Sequence, residues 1–143
     1  MDAPSDAFVR KARLLKVVDG DTLRLEIDLG FGTRLAHDIR LLGVDTPEPR
    51  GKESAAGKWV TFQVEKFIGD HKDLLIHSQV FSLGKFGRCL CRVWVDGRCL
   101  NNWLIDSQLC WPTDSSGKII GPRDLSRLTL PASVLRKCHG VAA

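Results

Sequence analysis

The sequence predicts an α+β protein that is mainly β: a five-stranded, closed β-barrel with a helix inserted after strand three and one or two C-terminal helices. Three observations carry this. Leu23, Leu25, Ile27 and Leu29 alternate strictly with Arg24, Glu26 and Asp28, and Leu35, His37, Ile39 and Leu41 continue the alternation; this is the period-two pattern of half-buried strands. Residues 53–68 instead place apolar side chains at three- and four-residue spacing, the pattern of an amphipathic helix. Two further extended runs, at 73–81 and 88–95, then precede the turn Asp96-Gly97.

The elements follow in order. Leu14, Lys16 and Val18 belong to one extended run, closed by Asp19-Gly20-Asp21. Gly30-Phe31-Gly32 turns the chain between the second and third strands, and Ala36, Asp38, Arg40 and Leu42 take the opposite parity of the third. The prolines of Thr46-Pro47-Glu48-Pro49 end regular structure, because proline has no amide proton for a ladder and restricts the residue before it. The helix from Glu53 to about Ile68 presents Trp59, Val60, Phe62, Val64, Phe67 and Ile68, and Gly69 is a natural stop. A second helix is expected from Asn101 to about Leu109, with Asn101 or Asn102 as its cap. Residues 112–123 read as a loop and 125–138 as a short helix interrupted or capped at Pro131. Strands in this order, with a helix between the third and fourth, form the pattern of an OB-type barrel, a scaffold often used for phosphodiester ligands.

Length gives a single domain, 1–143, in which 112–143 is a divergent C-terminal segment. Apolar residues at 43% and charged residues at 27% exclude wholesale disorder. No apolar run approaches the length of a membrane span, and the first residues carry neither the basic head nor the apolar stretch of a signal peptide. The expectation is therefore a monomer without membrane contact, cytoplasmic or of undetermined compartment. A net charge of +4 permits a phosphate-bearing partner without requiring one. The five cysteines are an odd number, so free thiols behaving as small buried hydrophobes fit better than a disulfide framework.

Three short segments place charge at strand ends, where a barrel buries it only at a cost. They are Val18-Asp19-Gly20-Asp21-Thr22, Arg40 to Glu48, and Gly87-Arg88. Two carboxylates such as Asp21 and Asp45 repel each other and a phosphodiester, so the set makes sense with a cation among them. Paired guanidinium groups suit the oxygens of a phosphate.

With Asp-Gly-Asp-Thr, then Arg40 with Asp45-Thr46-Pro47-Glu48 after it, then Lys85-Phe86-Gly87-Arg88, then Asp96-Gly97 and the stretch Leu100 to Trp111, the sequence resembles the staphylococcal nuclease (thermonuclease) family. The resemblance runs from about Leu14 to Trp111 and implies a nuclease that uses Ca2+ to hydrolyse DNA or RNA, leaving 3′-phosphate ends. It implies Asp21, Asp45 and the Thr46 carbonyl as calcium ligands, Glu48 as the group that holds or deprotonates water, and Arg40 and Arg88 as phosphate grips. Lys85 would contact phosphate or be an ordinary surface lysine. Trp111 would stack on a base or form a partly buried cover over the barrel. The alternative is a non-catalytic OB-fold module that binds nucleic acid or a protein.

The sequence departs from the family in three places. Gly84 stands where an acidic residue is usual, and the loop after Glu48 is short. The chain also has no tyrosine, the residue with which such enzymes often pack against the nucleotide. Glu53 reads as a charge at a helix N-terminus rather than a ligand.

Overall fold

A computed structural model describes residues 8–70, 73–81 and 89–138. Strands β1 (Val9–Asp19), β2 (Thr22–Gly30), β3 (Thr33–Leu41), β5 (Asp73–Phe81) and β6 (Cys89–Val95) form the barrel wall, with the two-residue strand β4 (Val44–Asp45) between β3 and the helix. The wall runs β3-β2-β1-β5-β6, and a parallel β3–β6 pairing closes it. Closure sets Ile39 beside Cys89 and Arg40 beside Leu90. The expected five-stranded barrel is present, with helix α1 (Ser54–Ile68) after the third wall strand.

The alternation in β2 explains the core. Leu23, Leu25 and Ile27 are buried and meet Ile39, Leu41, Val60, Val64, Ile76 and Val93 inside the wall. Toward the β2–β3 turn the pattern outruns the barrel: Leu29 and Leu35 are exposed, and Phe31 is wholly so with a positive φ of 55°. Strand β1 begins at Val9, earlier than its apolar pattern indicates, because its first residues pair with β5 from Val9↔His77 to Arg13↔Asp73. Helix α1 starts one residue later than expected, after a 3-10 turn at Gly51–Glu53. It ends at Gly69 (φ 58°), whose amide donates to the Glu65 carbonyl. Phe62, read as part of its apolar stripe, is exposed.

The turn at Asp96-Gly97 leads through β7 (Arg98–Cys99) into helix α2 (Leu100–Asp106). Here the expected cap is corrected. Cys99 occupies the N-cap position, and Asn101 lies inside the helix, 1% exposed. Its side-chain amide donates to the carbonyls of Leu42 (2.8 Å) and Cys91 (3.1 Å), while its oxygen accepts from the Val93 amide at 3.0 Å. One polar side chain thus satisfies three main-chain groups where β3 leaves the wall, which is the condition for burying it.

The C-terminal segment packs as a small second layer. Strand β8 (Trp111–Pro112) pairs with β4, setting Trp111 opposite Asp45, a ladder that periodicity does not reveal. A 3-10 turn (Leu125–Arg127) and helix α3 (Ala132–Arg136) follow, with Pro131 at the N-cap of α3. Ala56 of α1, Trp111, Leu125, Leu128 and Cys138 form a separate buried cluster there. All five cysteines are free, and Cys99 is the only one not buried. No helix among the described residues is long and apolar enough to cross a membrane.

Candidate functional site

The site assembles where three connections meet. Asp21 sits in the tight β1–β2 turn, whose amide at Asp21 donates to Asp19 Oδ1 at 3.1 Å. A turn tip is ordinarily wet, yet Asp21 is only 6% exposed. The cause is Gly20: a Cβ there would lie 2.8 Å from Thr46 Oγ1 and 2.9 Å from Val60 Cγ1, so the missing side chain lets the turn press against α1 and the Thr46 loop. Asp21 Oδ1 accepts from the Thr22 hydroxyl at 3.2 Å, and Oδ2 accepts from the Thr46 amide at 3.1 Å.

Arg40 lies opposite Thr22 in the β2–β3 register, and Asp45 lies opposite Trp111 in the β4–β8 ladder. Arg40 Nη2 stands 3.6 Å from Asp21 Oδ2 and 3.7 Å from Asp45 Oδ1. Both carboxylates therefore face one point. Those separations exceed hydrogen-bond reach, so the guanidinium bridges the acids by charge and is not locked to either. Glu48 is exposed and follows the buried Thr46 and Pro47 in the chain.

Burial pushes the Asp21 carboxyl up to about 6; the Asp19 carboxyl, by hydrogen bonding and charge, adds to the rise, while Arg40 and the Thr46 amide hold it down. Cys110, also buried, has its thiol pushed up to about 12 by burial and then by the charges of Asp21 and Asp45. It is a neutral wall of the site, not a nucleophile.

Among the described residues no group of three or more His, Cys, Asp or Glu side chains is arranged to hold a metal ion. The oxygen set is smaller: the carboxylates of Asp21 and Asp45, which converge on Arg40, and the carbonyl of Thr46, which accepts from Arg123 Nη2 at 3.4 Å, with water for the remainder. Such hard donors in loose geometry fit calcium, which takes several oxygens and tolerates irregular spheres. A buried carboxyl whose ionisation is resisted is also one that a nearby cation would favour.

Of the remaining expected residues, Lys85 and Arg88 lie outside the described residues. Trp111 is corrected. It is fully buried, and its indole N–H donates to the Asp124 carbonyl at 3.0 Å. Pairing with Asp45 turns it inward under the C-terminal layer, so its ring is closed to a nucleotide base.

The ring instead meets a residue that the motifs do not reveal. The Arg123 guanidinium lies 4.4 Å above the Trp111 ring and forms ion pairs with Asp45 Oδ2 at 3.2 Å and Glu53 Oε1 at 2.7 Å. Glu53 occupies the N-cap position of α1, as a helix-terminal charge should. Its carboxylate also accepts the Glu48 amide at 3.0 Å. Burial works against its ionisation, but Arg123 and that amide outweigh it and hold Glu53 below the usual carboxylate range. Arg123 follows a Gly-Pro pair in a stretch of loop composition, and nothing in its spacing separates it from an ordinary surface arginine.

The chain matches no protein-family model and no curated protein.

Proposed function

We propose that the chain is a calcium-dependent phosphodiesterase that hydrolyses DNA or RNA and leaves 3′-phosphate ends. The observation that carries the reading is the convergence of Asp21 Oδ2 and Asp45 Oδ1 within 3.7 Å of the same Arg40 atom. Arg40 and Arg123 offset part of the charge that Asp21 and Asp45 bring together, but Arg40 is within hydrogen-bond reach of neither acid. A site for a cation and a phosphodiester accounts for the convergence.

Asp21, Asp45 and the Thr46 carbonyl would hold the ion. Calcium, when bound, supplies charge that polarises the phosphoryl oxygens and offsets the repulsion between substrate and carboxylates. Arg40, bridging but unlocked, is free to turn its fork onto two phosphate oxygens and to stabilise charge developing there. Arg88, outside the described residues, is assigned the same task by resemblance alone. Glu48, which is exposed, accepts the proton of the attacking water. With Trp111 buried, it supplies no base-stacking platform, and the reading assigns recognition to contacts with the phosphate.

The test is degradation of single-stranded DNA and of RNA by the purified chain with calcium, repeated after chelation. Cleavage that stops on chelation and leaves 3′-phosphates is expected. Intact substrate, bound with micromolar affinity, would replace the enzyme with the non-catalytic OB-fold binding module.

A further inference from the structure

Two arginines serve the site in different ways. Arg40 stands beyond hydrogen-bond reach of both carboxylates it faces. Arg123 is held on several sides: Nε donates to Glu53 Oε2 at 3.0 Å, and Nη2 donates to Glu53 Oε1 at 2.7 Å. Nη1 pairs with Asp45 Oδ2 at 3.2 Å, Nη2 also reaches the Thr46 carbonyl at 3.4 Å, and the plane rests on buried Trp111. A planar fork with a bidentate carboxylate partner and an aromatic face beneath it has one orientation.

The chain just after Arg123 is also pinned. The Asp124 carbonyl accepts the Trp111 indole proton, its carboxylate accepts the Ser126 amide at 2.9 Å, and Leu125 is buried. The main chain of Arg123 thus belongs to the docked C-terminal layer, and its guanidinium reaches from there to Asp45, Thr46 and Glu53.

We infer that Arg123 is a positioning residue: it holds Asp45 by Oδ2 so that Oδ1 faces Asp21, and through Glu53 it holds the main chain at Glu48. The oxygen set able to receive a divalent cation therefore forms only when the C-terminal segment is docked. This rests on the assignment of Asp21, Asp45 and Thr46 to calcium. The two oxygens of Asp45 divide the work. Oδ2 belongs to Arg123, and Oδ1 is left on the side of Arg40 and Asp21. Without Arg123 the Asp45 carboxylate is free to rotate, and Glu53 becomes an unbalanced charge beside Asp45 and Glu48. A lysine at 123 reaches one carboxylate but cannot fork across both, so it restores the arrangement only in part.

The experiment is calorimetric titration of the full chain with calcium chloride, together with hydrogen exchange at the Glu48 amide. It compares wild type, Arg123→Gln and Arg123→Lys below the melting temperature of each. Arg123→Gln is expected to raise the calcium Kd about tenfold, the scale of one charge-assisted hydrogen bond at a partly exposed site, and to speed Glu48 exchange. Arg123→Lys should fall between. A calcium Kd unchanged or lowered in Arg123→Gln overturns the inference, since Arg123 then only buttresses the fold or competes with the ion. Absence of calcium binding by wild type would instead sink the metal assignment, and Glu48 exchange would still decide whether Arg123 holds the loop. Should Arg123→Gln fail to fold, Glu53→Gln removes the same anchor and is read by the same two measurements.

Discussion

Gly57 of α1 lies directly beneath the peptide that joins Glu48 to Pro49: a Cβ on Gly57 would overlap the Glu48 carbonyl. Its backbone is helical, so the glycine is there for close approach and not for an unusual φ. Glycine in a helix interior costs about 1 kcal/mol relative to alanine, and here that cost allows the Glu48 loop to rest on the helix.

Gly57→Ala is accordingly expected to be harmful despite its gain in helix propensity. The overlap is with main chain, which cannot rotate away, and overpacking of this kind costs about 1–3 kcal/mol. Thermal melts should show a loss of stability, and turnover should fall further than calcium affinity, because Glu48 is displaced more directly than Asp21 or Asp45. Stability at or above wild type would show that the loop tolerates displacement.

Asp21→Asn should separate stability from function. The buried carboxyl is pushed up from 3.8 to about 6, so its ionised form is disfavoured in the folded state at neutral pH. Replacing it with a neutral amide of similar shape, whose oxygen can still accept from the Thr46 amide, should stabilise the calcium-free protein at pH 7.5. Calcium binding should be lost at the same time. Denaturant unfolding with chelator present checks the first outcome and calorimetry the second.

The same shift fixes a pH dependence. An acid whose folded value lies above its unfolded value binds more protons in the folded state between the two, so its contribution to stability falls as pH rises. For Asp21 that window runs from about 4 to about 6, the contribution being fully present below it. Calcium must compete with this proton, so apparent calcium affinity should weaken as pH falls below about 6. The slope of stability against pH over this window should be shallower or absent in Asp21→Asn.

Arg40→Lys and Glu48→Gln test the division of labour. Arg40→Lys keeps the charge but loses the fork, and should lower kcat/KM by about 10- to 100-fold, the worth of a charge-assisted hydrogen bond. Glu48→Gln should lower kcat by about 100-fold or more, the usual worth of a general base, with nucleotide affinity little changed. Steady-state kinetics with an inhibitor-binding assay resolves the two, and equal losses in both parameters for Glu48→Gln would point to another base.

Asn101→Leu should be among the most destabilising single changes. It leaves the Val93 amide and the Leu42 carbonyl without partners inside the protein. Each orphaned buried group costs about 1–3 kcal/mol. A melting temperature within a few degrees of wild type would mean that water reaches these groups.

The barrel was legible because its signals are local. Alternation in Leu23 to Leu41 reports which face is buried, and Pro47 and Pro49 report where the strand must stop. Errors fell where a partner far along the chain overrides local pattern. Asn101 has the residue type and place of a helix cap, but three main-chain groups of β3 and β6 draw it inward. Leu35 has the parity of a core residue, but the β2–β3 hairpin extends past the barrel and leaves it exposed.

By itself, the sequence determined the order of the strands, the inserted helix and the motifs holding Asp21, Arg40, Asp45 and Glu48, since each depends on spacing within one short segment. Tertiary structure alone decided that Trp111 is buried and that Arg123 joins Glu53 across 70 residues to steady the loop between them. The physical reason is that periodicity fixes the direction of a side chain relative to its own strand or helix. Which charges meet is set by how the barrel closes and how the C-terminal layer docks upon it.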